Sequence, residues 1–414
     1  MIVQNLPAVL LTAPRSRVLG RNIFGMLAVN VCFAVLIIFV DTFMIARVYS
    51  VTGGNYTAAT LFKLMDVTAC VTFYFLASFF FKRIRAVWVT RTATAVTLIG
   101  LVTVAAFPVV LENYYMVCGF VWGGACGLFA GANQFLTAEI FGKTQIMPYL
   151  VWYNILTISV KIIFPFTLGG AIDLGGFVVT STVVAVVSGL MVASTFLISV
   201  PRKESVSRRF EMRAMFREMR ARGFTRASWG LFAIIVLRGI SDNIVLLITV
   251  LVIMVLGTNI SLGVLGSMVA VTSILTLFVF NRVRFMRAPL YIAAVFVPLA
   301  VSFAFLFSVN AVTVVAFQFV FVTLTIVFSV TRDSTRLSVT RYWQGEKYLV
   351  ESNMFYEFAM WLGRIVSAGL VLATAWFGVS AVWLAGVIVL MCLANAIYGG
   401  WLWFWRKRYF GSGF

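Results

Sequence analysis

Long apolar runs separated by short polar breaks make up most of the chain. At about 20 residues per crossing, twelve runs are long enough to span a bilayer. In the first half they are Ile23–Ala46, Ala58–Phe81, Val87–Val110, Tyr114–Phe141, Ile146–Ile172 and Phe177–Val200. In the second half they are Trp229–Leu256, Leu262–Phe280, Pro289–Ser308, Ala311–Val330, Leu349–Phe377 and Ala381–Trp405. One long polar segment, Pro201–Ser228, separates the two sets of six. Within it Met212, Met215, Phe216 and Met219 recur at i, i+3, i+4 and i+7, the spacing of one helical face. Glu204 with Arg208 and Glu218 with Arg222 are acid-before-base pairs at i, i+4. The pattern predicts a basic amphipathic helix lying on the cytoplasmic face of a membrane. A solvated charged linker is the alternative.

Composition excludes a soluble globule. The chain is 62% hydrophobic and 11% charged, against roughly 25% charge in a soluble domain, and its mean hydropathy is +1.04. The net charge of +19 does not indicate a nucleic-acid partner, because the basic residues sit in short clusters between apolar runs rather than on one polar domain. No cofactor or metal is expected. The five cysteines, Cys32, Cys70, Cys118, Cys126 and Cys392, fall inside apolar runs, and the chain has no histidine.

The basic clusters alternate with the spans. Arg15, Arg17 and Arg21 precede the first, Lys82, Arg83, Arg85 and Arg91 flank the turn after the second, and Lys143 follows the fourth. Arg282, Arg284 and Arg287 follow the eighth, Arg332, Arg336, Arg341 and Lys347 the tenth, and Arg406, Lys407 and Arg408 the twelfth. The intervening loops lack Lys and Arg, Arg47 being the one exception at the outer end of the first span. The positive-inside rule then places both termini in the cytoplasm of a multi-pass protein of the inner (plasma) membrane. The expected organisation is a tail over residues 1–21, a bundle over 22–200, a connector over 201–228, a second bundle over 229–405 and a tail over 406–414.

The halves echo each other. The second span ends Phe-Phe-Phe-Lys-Arg-Ile-Arg at 79–85, and the eighth ends Phe-Val-Phe-Asn-Arg-Val-Arg at 278–284. Six spans, a long connector and six more spans, with basic loops after spans two and eight, resemble the major facilitator superfamily, and Glu357 followed by Gly363-Arg364 in span eleven resembles its bacterial drug-efflux-like members. The resemblance is architectural more than motif-level. The family's loop after span two carries Gly and Asp among its arginines, whereas Ser78–Arg91 (SFFFKRIRAVWVTR) keeps only the basic residues. It implies an all-helical fold of two six-helix bundles related by a pseudo-two-fold axis.

Isolated charges inside apolar helices are costly, about 2.5–3.5 kcal/mol each on insertion scales, and are the default functional candidates. They are Asp41, Lys63, Asp66, Lys161, Arg238, Asp242, Glu357 and Arg364. Lys63 and Asp66 are i, i+3, and Arg238 and Asp242 are i, i+4, so each pair shares a helix face. Asp41 lies at a depth where it can partner Lys63. Lys161 has no acid in its own span and must find one on another helix or lose its proton. One reading has these faces lining a central cavity, the carboxylates carrying a coupling proton and the bases holding the substrate. The other is a set of buried ion pairs that fix helix packing. Gly119, Gly123, Gly127 and Gly131 form a smooth stripe on span four that lets another helix approach closely. Asn30, Asn154 and Asn243 are expected to bridge helices, and Trp122, Trp152, Tyr153, Tyr356 and Trp361 are able to stack on a substrate ring.

These features point to a monomeric secondary transporter, not an enzyme, working by alternating access and surrounded by membrane lipid. Protons are the expected coupling ion, and the expected activity is export of a small hydrophobic or amphipathic molecule. A lipid or glycolipid flippase on the same scaffold, a non-transporting sensor and an intramembrane enzyme are the alternatives.

Overall fold

The computed structural model describes residues 14–80, 84–140, 146–199, 211–242, 244–256, 258–282, 287–339, 348–376 and 381–410. The Glu204–Arg208 pair, Lys82, Arg83, Lys143, Arg284, Arg341, Lys347 and Asn243 lie outside them, as do the side chains of Glu139 and Asn154. Among the described residues the chain is helical throughout, with eleven apolar stretches long enough to cross a membrane. One of these, Ile155–Thr195, is 41 residues long, or about 60 Å at 1.5 Å per residue, twice a hydrocarbon core of about 30 Å. Gly176, at φ 80° and ψ 167°, interrupts its helical backbone, which makes it two crossings. A residue with a side chain is rarely tolerated at that φ, and this explains a glycine at the turn.

The spanning helices are numbered α1–α12. α1 runs Pro14–Ile38, then through a π-helical turn Phe39–Met44 into Ile45–Val51. α2 is Tyr56–Phe80, α3 Ala86–Ala106 and α4 Tyr115–Ile140. α5 and α6 are the parts of Ile146–Thr195 before and after Gly176. α7 comprises Thr225–Asp242 and Ile244–Leu256, α8 is Asn259–Arg282, and α9 is Arg287–Ser302 with a 3-10 turn Phe303–Leu306. α10 is Ala311–Val339, α11 Leu349–Trp376 and α12 Ala381–Phe410. The expected spans all reappear, most ends shifted by a few residues and two, the start of α1 and the end of α10, by nine.

The expected connector helix forms at Met212–Ala221, and Glu218 accepts from Arg222 as the spacing predicts. Its apolar face does not meet lipid. Met215 and Met219 are fully buried in a cluster with Ala227, Leu231, Phe355 and Trp405 of the second bundle. Phe216 stacks on Trp229 and meets Phe355 edge-on. The Glu211 backbone N–H at the helix start donates to Glu351 at 3.0 Å. Glu351 is therefore buried under the connector.

The glycine stripe packs α4 against α2. A Cβ on Gly119, Gly123 or Gly127 would lie 2.4, 1.9 or 2.0 Å from the carbonyl oxygens of Phe62, Asp66 and Cys70. The backbones touch, so no side chain is tolerated there and α2 is held at a fixed depth. Asn30 ties α1 to α4 and α5, donating to Asn133 at 3.2 Å and to Tyr149 at 3.1 Å. Arg47, the basic residue that breaks the charge pattern, pairs with Glu112 at 3.4 Å and lies over the Phe177 ring.

Among the described residues, the bundles touch on the distal face, away from the described ends of the chain. A single apolar cluster there includes Phe39, Phe43 and Met44 of α1 and Leu247, Leu251, Leu262 and Leu265 of α7 and α8. α5 and α8 cross backbone to backbone: a Cβ on Gly169 would lie 2.4 Å from the Asn259 oxygen, and one on Gly263 2.2 Å from the Pro165 oxygen. Asp173, beyond the end of this contact, caps α8 from the other bundle. It accepts from the backbone N–H of Ile260 at 2.7 Å, from that of Asn259 at 3.3 Å and from the Asn259 side chain at 2.9 Å.

Candidate functional site

Two charged clusters sit at mid-depth, one in each bundle. In the first, the Lys63 ammonium of α2 donates to Asp41 of α1 at 2.8 Å and to Asp66 of its own helix at 2.6 Å. Asp41 reaches Lys63 from inside the π-helical turn Phe39–Met44. π-turns are rare and cluster at functional sites, because the extra residue re-aims a side chain that a regular helix would point elsewhere. The neighbours Phe39, Val40, Phe43 and Met44 are all buried, which anchors the turn. Asp66 is buried, whereas the Asp41 side chain is 41% exposed.

In the second cluster, Asp242 of α7 is shared by two arginines. Arg238, one turn earlier, reaches it at 3.0 Å. Arg364 of α11 donates through Nε at 2.8 Å and also through Nη2. α7 and α11 can bring these groups together because they cross at Gly239 and Gly363, where an added Cβ would lie 2.2 Å from the Met360 oxygen or 2.0 Å from the Val236 oxygen. The planar guanidinium of Arg364 suits this two-donor contact.

The clusters face each other across the α2–α11 seam. Arg364 lies within electrostatic range of Asp66 and Cys70, and Glu357 within range of Arg364. Read across the seam, the charges alternate in sign: Asp41, Lys63, Asp66, Arg364, Asp242, Arg238. Of these six, the first bundle contributes two acids and a base and the second two bases and an acid, with Glu357 a further acid beside Arg364. Alternation of this kind lowers the cost of holding ions in an apolar interior, and it makes each group's charge depend on its neighbours.

Among the described residues, three donors at this level are buried without an acceptor: Arg238 Nε and Nη1, and Trp361 Nε1. Trp361 stands one turn before Arg364 on α11, against Phe358 at 5.5 Å, and Phe358 meets Phe75 of α2 at 6.3 Å across the seam. An aromatic wall therefore adjoins the cations. Lys161 on α5 stands apart. It is exposed, one turn from the Pro165 contact with α8, and among the described residues it has no ion-pair partner.

The structure thus brings together seven of the eight sequence candidates and leaves Lys161 apart, with no acid beside it among the described residues. The sequence pairs Lys63 with Asp66 and Arg238 with Asp242, and it allows Asp41 to Lys63. It misses the α7–α11 bond, for which spacing within one helix carries no signal. Phe75 and Phe358 were also missed, because aromatics make up 15% of the chain and mark no particular place.

No family model matches the chain, and no curated protein sequence matches it. Solved structures do. The POT family transporter PepTSo superposes with a TM-score of 0.68 at 10% identity, over 92% of this chain and 97% of that one. A POT family transporter in complex with 5-aminolevulinic acid gives 0.69 at 11% identity, over 92% and 94%. A D-xylose-proton symporter gives 0.66 at 12% identity, over 92% and 96%. At these identities the likeness is one of fold. The chain is a multi-pass membrane protein with the major facilitator fold, twelve helices in two bundles of six.

Proposed function

We propose that this protein is a proton-coupled secondary transporter working by alternating access, with no enzymatic activity. The observation that carries the reading is the alternating chain of charges across the seam between the bundles. A proton taken up by Asp66 would remove a charge that Lys63 and Arg364 both use. The seam would then lose attraction, and the bundles could part or close as the proton moves. The fold supports the reading, since the D-xylose-proton symporter and the POT family transporters share it, though the fold alone sets neither substrate nor direction.

The substrate that best fits is small and amphipathic. An acceptor-bearing or anionic end would take the unspent donors of Arg238 and Trp361, with Lys161 on the approach. An apolar body would lie along Phe75 and Phe358. We assign export as the direction, on the strength of the apolar, aromatic-rich interior. The face bearing the termini is assigned to the cytoplasm, on the loop charges. The domain limits 1–21, 22–200, 201–228, 229–405 and 406–414 are kept as proposed, with the connector helix docked on the second bundle.

The test is flux in proteoliposomes under imposed pH gradients of either sign, with a panel of small amphipathic acids, amines and neutral compounds. Movement of an amphipathic compound against the proton gradient supports the assignment. Movement only in the same sense as protons reverses the direction. No gradient dependence for any compound removes proton coupling.

A further inference from the structure

The first bundle holds a crevice that the transport cycle does not use. It has a volume of about 290 Å³ and lies between α3 and α4, lined by Met44, Gly100, Val104, Val117, Val121 and Trp122 among others. Its walls offer no free polar group. The Thr97 hydroxyl donates to the Ala93 carbonyl at 3.0 Å and that of Thr103 to Ile99 at 2.8 Å, each within its own helix. The mouth opens outward between Ile99 and Val117, which are 66% and 57% exposed. In a membrane-spanning chain that surface meets hydrocarbon. The crevice lies along the last turns of α3 and the first turns of α4, in the leaflet on the distal face. Between the lining residues Val110 and Val117 the chain carries the polar groups Glu112, Asn113 and Tyr114, with Arg47 paired to Glu112.

We propose that this crevice is a binding site for one acyl chain of a phospholipid in the distal leaflet. A dry apolar slot at this depth is open to lipid and closed to water, and acyl chains are the apolar ligand present there at the highest concentration. The polar groups of Glu112, Asn113 and Tyr114 lie where the glycerol and headgroup would emerge.

The site also touches the charged cluster from behind. Met44, on its floor, is the last residue of the π-helical turn that carries Asp41. Trp122, on its wall, stacks on Phe33 of α1 at 6.5 Å and precedes Gly123, which rests on the Asp66 backbone. A bound chain therefore supports both carboxylates that hold Lys63. Met44 and Trp122 are themselves packed in the apolar core, so an occupant of the slot would act on the charged cluster through that core.

The test is native mass spectrometry of the full-length protein exchanged from palmitoyl-oleoyl-phosphatidylethanolamine into mild detergent. Gly100→Leu fills the crevice. Its first new contact is Val121 at 3.7 Å, an ordinary packing distance, so the fold should survive. Gly189→Leu makes the same chemical change on α6, where nothing lies within 4 Å, and serves as control. The expected result is one retained phospholipid on the wild type and on Gly189→Leu, with at least a fivefold lower retained fraction on Gly100→Leu. Val121→Phe fills the slot from the other wall and should reproduce the loss if Gly100→Leu melts early. Equal retention by both filled variants and the wild type, or no retained lipid on the wild type, overturns the proposal. The readout needs no transport, so it stands apart from the transporter assignment.

Discussion

Asp173 closes the distal face by capping a helix of the opposite bundle, and its removal should shift the conformational balance by a calculable amount. Asp173→Ala deletes three hydrogen bonds, at 2.7, 2.9 and 3.3 Å, and leaves the first N–H groups of α8 to water. A capping carboxylate contributes about 0.5–2 kcal/mol, including its attraction to the positive end of the helix. Asp173 is exposed, so we take about 1–1.5 kcal/mol. At about 1.4 kcal/mol per tenfold, the distally closed state loses roughly five- to tenfold in population against the distally open one. Asp173→Asn keeps one acceptor oxygen and should shift it less. The assay is pulsed electron resonance between spin labels at Asn55, in the first bundle, and Val312, in the second, with the five native cysteines replaced. The wild type should give mainly the shorter distance, and Asp173→Ala should add a longer population. An unchanged distribution in Asp173→Ala would refute the capping argument, because the contact would then contribute nothing to closure.

The other expectations follow from packing and pairing. Asp242→Asn leaves Arg238 and Arg364 facing each other without their shared carboxylate. Breaking a fully buried pair costs about 3–5 kcal/mol; with the partners partly exposed, we expect about 1–3 kcal/mol, read as a lower melting temperature than that of the wild type in detergent. Lys161→Gln has no partner to orphan and should change stability by less than about 0.5 kcal/mol, while lowering substrate flux. A large loss of melting temperature would instead mean that Lys161 is a packing residue. Gly123→Ala drives a Cβ to 1.9 Å from the Asp66 oxygen and should collapse the yield of folded protein in size-exclusion chromatography, whereas Gly189→Ala should be neutral.

Much of the fold could be read from the chain because the bilayer leaves few options. Apolar length fixes the crossings, and the polar segment at 201–228 marks the midpoint. The site was only half legible. Lys63–Asp66 and Arg238–Asp242 share helix faces, and helix periodicity reveals them. The bond from Arg364 to Asp242 depends on the Gly239–Gly363 crossing between helices more than a hundred residues apart in sequence, and no local pattern encodes it. The π-helical turn that aims Asp41 at Lys63 was equally hidden, since Phe39–Met44 reads as an ordinary apolar helix. The role of Asp173 appears only when α8 from the other bundle is placed beside it. The connector's apolar face was legible, but its partner was not, because methionines that suit a lipid surface suit a bundle of Phe and Trp equally well.

The measurement that bears most directly on the account is pH-gradient-driven flux in proteoliposomes for the wild type, Asp66→Asn and Asp242→Asn, alongside substrate exchange with no gradient. If the six alternating charges carry the coupling, the gradient should accelerate the wild type, and Asp66→Asn should lose that acceleration while still exchanging substrate. Asp242→Asn should be impaired in both. Gradient acceleration undiminished in both variants would contradict the account, and would leave the charges as ion pairs that only hold the helices together.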